Sequence, residues 1–572
     1  MAKKEKHAYS HTLIRPNQIK PFPKRVVVVD TESKENTDHE QKNYHQMDYG
    51  WFGVTKKPYR TLDNKTRFES PEQFADQLER LVDEEDELVV IAHNMGFDVR
   101  ILASFPVLKK RGWKTSYPIY DGGKFIVRFK RGKERMLFLN TGNWLSGSIK
   151  KWGKVLGVPK LQMPSPDAPQ AEHDAYCFRD VYILYLMFKM WYEFIVDHCF
   201  GDFRLTLASQ AMNTFLIDHY VQNARKKPNW TVYKEVKDKK IHGTKIRSLE
   251  NEGINNIIRE SYFGGRTESQ RKVDTRDEEQ YKLLFDEFIT RNNYGLKYIP
   301  FALLDVKSMY PSVMKGHKYP IRFRQIHNMC THKQLRSLIN GYCVFARVHV
   351  NCTKPLVPKR GVTSRLEYPI GSFEGVYAGP ELELLLDEGA ISNIMDCYIY
   401  DAESIFDSYV DYFYSLKDSY GHEGNMAMRE VSKLFLNALY GKWAQRIMEY
   451  DEMEDVAYLP DGTYHDHELC NGHKAPVIAI NDQVFVPTGL TESKTSSIAI
   501  ASYVTSYARV KLIRTFLTAG LENVIYNDTD SGIFTPQGYK MIKHLIGDQL
   551  GDWELEKVSS HLVTYDRKDY EF

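Results

Sequence analysis

No stretch of the 572-residue sequence reaches the roughly 18 consecutive apolar, uncharged residues that a membrane helix needs. The basic opening MAKKEKHAYSHTLIRP lacks the apolar run of a secretory leader, so a cytoplasmic protein is expected, in a host cytoplasm if the chain is viral. Cysteine is sparse: seven residues, odd in number and without a CxxC pair, suit reduced thiols better than a disulfide framework. One local group, YHDHELCNGH, places His465, His467, Cys470 and His473 together, but not at the ligand spacing of a zinc finger, and a polar loop is expected. Excess charge of either sign is also missing. A net charge of +2 neither supports nor opposes nucleic acid, because a balanced surface can still carry a basic channel.

What is present is length and pattern. The chain has room for three or four domains, and 42% hydrophobic with 27% charged residues is a globular balance. The β-branched run RVVVVDTES (25–33) predicts a strand stopping at a carboxylate, and ELVVIAHNMGFDVRIL (87–102) a strand followed by a helix. DAYCFRDVYILYLMFKMWYEFI (174–195) has the length and periodicity of a buried helix, so the first two hundred residues read as α/β. Charged residues 234–245 look like an exposed linker or insertion. Further on come a strand ending at Asp305, a segment over 426–447 that is a strong helix until Gly441, a polar, turn-rich stretch near 446–485, and a long helix over 496–517. Near the end, VIYNDTDSGIF (524–534) reads as a hairpin with Asp528 to Asp530 at its tip. A solvated turn and a cation site are both open for that tip on the segment alone.

The carboxylates fall into two sets. Asp30 and Glu32 are two apart on a strand, and Tyr176 and Asp180 are four apart on one helical face, so with Asp98 they can converge. Such a cluster suits two hard cations, which can activate a water and stabilise a leaving oxygen in phosphodiester hydrolysis. The second set is Asp305, Asp528 and Asp530. Lys433, Asn437 and Tyr440 recur at spacings of four and three and line one face of their helix.

VDTES, HNMGFD and YCFRD resemble the DxE, NxxFD-type and YxxxD exonuclease motifs of family B DNA polymerases. The resemblance implies Asp30, Glu32, Asp98 and Asp180 as metal ligands, and Tyr176 as the group orienting water. It implies Asn94 and Phe97 on a single-stranded 3′ end, and Lys160 near the scissile phosphate. DVKSMYPSVM, KLFLNALYG and YNDTDS resemble polymerase motifs A, B and C. By that likeness Asp305 and Asp530 hold two metals together with the carbonyl of Val306, with Asp528 close by. Lys433, Arg429 and Lys417 meet the triphosphate, Asn437, Tyr440 and Gly441 face the nascent base pair, and Ser308 and Tyr310 lie at the nucleotide, Tyr310 under the sugar. YFGGR resembles the YxGG motif, placing Tyr262, Gly264, Gly265 and Arg266 on template, and Lys568 and Tyr570 in RKDYEF resemble the primer-gripping KxY motif.

Wide intervals between motifs A, B and C resemble the protein-primed subgroup of phages and linear plasmids, with its two insertions, TPR1 and TPR2. The implied fold is an α/β ribonuclease H-like exonuclease domain plus an α+β right-hand polymerase domain with palm, fingers and two insertions. The domains expected are the exonuclease (1–200), first palm part (201–316), TPR1-like insertion (317–404), fingers (405–444), TPR2-like insertion (445–485) and second palm part (486–572), with no thumb. The activity implied is templated DNA synthesis with 3′–5′ proofreading, using two Mg2+ per site or Mn2+ in their place. Its partners are template-primer DNA, dNTPs, a priming terminal protein and a single-stranded-DNA-binding protein, with no membrane. The alternatives are a chain in which only the nuclease works, and a non-catalytic DNA-binding remnant.

Overall fold

The computed structural model describes residues 22–37, 43–121, 124–198, 200–221, 252–361, 365–453, 459–460, 462–468, 474–480, 483–493 and 495–572. The charged stretch 234–245, Cys470 and His473 lie outside them. Among the described residues no helix is long and apolar enough to cross a membrane.

The N-terminal part is built on a seven-stranded sheet in the spatial order Asp63–Phe68, Asn43–Lys56, Arg25–Thr37, Leu88–Ala92, Glu134–Asn140, Lys124–Arg131, Lys114–Asp121. Its centre is parallel: Arg25–Thr37 pairs with Leu88–Ala92, and that strand with Glu134–Asn140. Val26 to Val29 are all fully buried because both faces of the sheet are covered. Alternate residues serve different cores: Val26 and Val28 pack under the helix Gln170–Asp197, while Val27 and Val29 pack with Phe74 and Leu78 of Pro71–Leu81. The strand does not stop at its carboxylate. It runs through Asp30 and Glu32 to Thr37, paired throughout with Asn43–Lys56, with an irregularity only between Glu32 and Ser33. Helix Gln170–Asp197 buries residues on most of its circumference, as a helix wedged between two layers must.

The second sheet is antiparallel, in the order Trp553–Ser559, Phe301–Val306, Ser531–Phe534, Val524–Asp528, Thr267–Ser269. Behind it lies Ile498–Ala519, buried along nearly its whole length, with Phe516 against Phe534 and Thr515 accepting from the Trp553 indole. Two helices follow on one another: Asp407–His422 packs on Met426–Trp443, and Met426–Trp443 packs on Ile498–Ala519. The second continues past Gly441 because Trp443 is fully buried and anchors its last turn.

Between the strand Phe301–Val306 and these helices, Tyr319–Asn328, Ile391–Glu403, Cys343–Cys352 and Gly371–Ala378 form a four-stranded sheet backed by His332–Gly341 and Gly379–Asp387. The stretch expected to be polar turns is another four-stranded sheet, Arg446–Met453, Gln483–Glu492, Lys474–Ile480, Gly462–Glu468. It closes because Val477, Ala479 and Val484 form a small core on one face, while Ile478 and Phe485 on the other join the core of the N-terminal sheet. Alternation, which turn-residue counting obscured, is the signal there.

Candidate active sites

The first cluster forms where the strand Arg25–Thr37, the short helix Met95–Ile101 and the long helix Gln170–Asp197 meet. Asp98, Asp180 and Tyr176 are buried. Thr31 donates to Asp98 Oδ1 at 2.8 Å, and Lys160 forms an ion pair with Asp180 while lying 4.7 Å from the Tyr176 ring centre. Burial, with Asp98, Asp180 and Glu32 adding their charge, pushes Asp30 well above the usual carboxylate range. Burial likewise raises Glu32 to about 7 against the opposing Lys160, and Asp98 to about 7 against the hydrogen bond from Thr31. Asp180 is raised by burial, with Lys160 pulling the other way, and its Oδ1 has no hydrogen-bond partner. Unit charges about 4 Å apart repel by roughly 4 kcal/mol at the effective dielectric of a partly buried site. Carboxyls held together at that cost, one with an orphaned buried oxygen, fit hard cations. Asn94, in the left-handed region at φ 64°, and the exposed Phe97 stand at the mouth, the latter edge-on to His45 at 5.7 Å.

The second cluster sits at the ends of central strands in the antiparallel sheet. Asp305 lies opposite Ser531 on one side and Glu554 on the other. The hairpin turn expected at 528–530 is present: Thr529 adopts φ 57°, and the Asp530 carbonyl accepts from Val306 N at 2.9 Å, tying the two acidic segments together. Burial first, then Asp530, Glu556 and Glu554, lift Asp305 to about 7. Asp530 is raised by burial and by Asp528 and Glu556. Asp528 is held instead by hydroxyls, accepting from Thr267 and Thr529 at 2.9 Å each, with Lys568 3.7 Å away. Glu554 and Glu556 were missed in the sequence. Their signal is an acid pair two apart in WELEKVS, the alternation that identified Asp30 and Glu32.

A family model for DNA polymerase type B, organellar and viral, matches residues 170–286 and 291–508, more than half of the chain. The chain belongs to that family. A probable DNA polymerase of Neurospora intermedia is 26% identical over 330 residues, 54% of this chain and 30% of that protein. The DNA-directed DNA polymerase of Enterobacteria phage PRD1 is 24% identical over 329 residues, 56% of this chain and 50% of that one. The chain thus spans at most about half the length of the curated relatives it matches. Among solved structures, Phi29 DNA polymerase with primer-template DNA is 16% identical with a TM-score of 0.64, covering 96% of this chain and 87% of that one. The same enzyme with incoming nucleotides gives 0.66. The likeness to these solved structures runs over nearly the whole chain and shows that the fold is shared, N-terminal sheet and antiparallel sheet together.

In this family B chain the helix Met426–Trp443 exposes Lys433 and Asn437 on the row that includes Tyr440. Tyr440 stacks on Tyr310, ring centres 3.9 Å apart, so two aromatics expected at the nucleotide form one unit. Ser308, at φ 54°, opens the short helix that carries Tyr310. Lys417 is held low by burial and by the cations Arg429 and Lys433, which places all three together as expected. Gly441 has open space where a side chain would be. Tyr262 lies in the same neighbourhood as Tyr440, Gly264 is exposed, and a Cβ at Gly265 would lie 2.7 Å from Thr529. Lys568 and Tyr570 reach the hairpin too: Lys568 N donates to the Tyr526 hydroxyl at 2.6 Å, and Tyr570 packs 4.7 Å from the Tyr526 ring.

One expected DNA contact is corrected. Arg266 is 1% exposed: its Nε donates to Glu268 at 2.6 Å, one terminal nitrogen donates to the Pro355 carbonyl at 2.9 Å, the group lies over the face of Tyr368 at 4.0 Å, and the other terminal nitrogen is buried without a hydrogen-bond partner. It is a buried brace, out of reach of a phosphate. His465 and His467 lie on the strand Gly462–Glu468 and belong to no group of close metal ligands among the described residues.

Proposed function

We propose that the chain is a DNA-directed DNA polymerase with a 3′–5′ proofreading nuclease, working in the cytoplasm of its host and replicating a linear genome primed by a terminal protein. The observation that carries this is the pair of separate carboxylate clusters, each on its own sheet and each with its own aromatic and cationic surroundings. Divalent magnesium bound at either would neutralise phosphate charge and lower the pKa of the attacking hydroxyl or water. At the second cluster Asp305, Asp530 and the Val306 carbonyl would hold such ions, and Lys433, Arg429 and Lys417 would receive the triphosphate. Tyr310, backed by Tyr440, would fill the space of a ribose 2′ hydroxyl. At the first, Asp30, Glu32, Asp98 and Asp180 would hold the ions, Tyr176 and Lys160 would orient water, and Phe97 would stack on the strand end. Glu554 and Glu556 would steer the charge balance around Asp305. Protein priming draws support from the two extra four-stranded sheets, which occupy the intervals where terminal-protein-primed enzymes carry insertions. A 5′-labelled primer on a template tests the reading: extension with dNTPs and magnesium, shortening without dNTPs. Neither activity from folded protein would overturn it.

A further inference from the structure

Two metal clusters of one element class should use oxygen ligands alone, yet the first carries a sulfur. Cys177 lies on the helix Gln170–Asp197 between Tyr176 and Asp180, fully buried, with Sγ 3.6 Å from the Asp30 carbonyl oxygen and 3.9 Å from Asp30 Oδ2. Its sulfur and the carboxylate oxygens of Asp30 and Glu32 all lie within 4.8 Å of one another, the one such trio among the described residues. A tetrahedral zinc-like ion, with bonds of about 2.3 Å to sulfur and about 2.1 Å to oxygen, sets those atoms about 3.6 Å apart. The 3.9 Å between the sulfur and Asp30 Oδ2 lies close to that, and the Glu32 oxygen is within 4.8 Å of both. Asp180, 2% exposed with an unpartnered Oδ1, faces the same groups from one helical turn on.

Magnesium gains nothing from a thiol, whereas thiolate ligands select zinc and cadmium. We propose that the first cluster has a second metal specificity: a thiophilic divalent cation is held by Cys177, Asp30 and Glu32, with Asp180 completing the set. The thiol proton is released to solvent as the sulfur–metal bond forms. Such an ion occupies the carboxylates that magnesium requires and shuts off 3′-end degradation. Among the described residues the second cluster has no comparable trio, so synthesis continues and mismatched ends persist. The proposal rests on the nuclease reading for its consequence, not for the coordination itself.

The full chain is titrated with cadmium while ultraviolet difference spectra and equilibrium dialysis are recorded, beside Cys177→Ser and Cys177→Ala. A sulfur-to-cadmium charge-transfer band and one tightly bound ion are expected in the parent and missing from both variants. In single-strand degradation with magnesium, the cadmium concentration for half inhibition should rise about tenfold or more in the variants. Primer extension by the same samples reports folding. A band and stoichiometry unchanged by both substitutions would overturn the proposal, as would unchanged inhibition. A band lost on substitution in a protein that degrades no DNA would uphold the coordination and remove the nuclease reading instead.

Discussion

Replacing Asp305 with asparagine should make the metal-free protein more stable while abolishing synthesis. In the native fold this carboxyl is lifted to about 7 from the ordinary 3.8, by burial and then by Asp530, Glu556 and Glu554. A carboxyl raised on folding keeps its proton in the folded state where the unfolded chain has released it. Its contribution is therefore full below about pH 4, shrinks as pH rises, and is gone above about 7. That rise corresponds to a ceiling of about 4 kcal/mol, and because Asp305 is only part-buried, solvent screening reduces this to about 1–2 kcal/mol. Asparagine carries no charge and escapes that loss. Thermal unfolding in EDTA should show the variant melting about 1–2 degrees above the parent at pH 8, with a smaller gap at pH 5. Magnesium should then stabilise the parent more than the variant, because an ion repays the repulsion only where the carboxylate is present. A variant that melts below the parent in EDTA at pH 8, or equal magnesium stabilisation of both, would refute the reasoning.

Further outcomes follow from the same geometry. Asp30→Ala with Glu32→Ala should remove 3′-end degradation and leave primer extension near the parental rate, as single-strand digestion and extension assays would read. Tyr310→Val should lower the dNTP-over-rNTP ratio of kcat/KM by about 10- to 100-fold, since it vacates the space a 2′ hydroxyl needs; an unchanged ratio would make Tyr310 only a packing residue. Glu554→Gln with Glu556→Gln removes two charges that raise Asp305, so the acid limb of the extension pH profile should move to lower pH. Arg266→Ala should cost about 3–5 kcal/mol in denaturant unfolding by leaving Glu268 and Tyr368 without their cation, and the salt dependence of DNA binding should keep its slope.

Much of both clusters was legible because their residues obey short local rules. Period two placed Asp30 with Glu32 and set Asp528 and Asp530 at a hairpin tip, and period 3.6 aligned Tyr176 with Asp180 and Lys433 with Asn437 and Tyr440. What escaped depends on partners distant in the chain. Arg266 reads as a free cation beside two glycines, and only the arrival of Pro355 and Tyr368 reveals it as buried. Glu554 and Glu556 become part of a site only when their strand pairs with the one bearing Asp305, some 250 residues earlier. Cys177 resembles any helix-core thiol until the strand carrying Asp30 is laid against it. The sheet over 446–492 was hidden for another reason: its alternating residues serve two different cores, a small one of its own on one face and that of the N-terminal sheet on the other, and polar turn residues between the short strands mask the alternation.

The segment Tyr262–Arg266 shows how an expected template contact is joined to the acids of the second cluster. From below, Arg509, 3% exposed on the helix Ile498–Ala519, donates to the carbonyls of Phe263 at 2.6 Å and Gly264 at 3.0 Å, and its Nε is fixed by Glu381 at 2.9 Å. A buried ion pair adds little net stability over apolar packing, so its worth here is geometric: it leaves those two carbonyls one position to occupy. From the other side, the Arg266 carbonyl accepts from Thr529 N at 2.7 Å and from Asn527 Nδ2 at 2.9 Å, and Gly265 leaves no room for a methyl against Thr529. Thr529 separates Asp528 from Asp530, so the peptide that carries the carboxylate pair is hydrogen-bonded to the peptide expected to follow the template strand. A dense, buried polar contact transmits displacement rather than absorbing it. A displacement of Gly264 or Gly265 therefore acts on the turn itself, and the acids next to it are among those the fold already holds at an electrostatic cost.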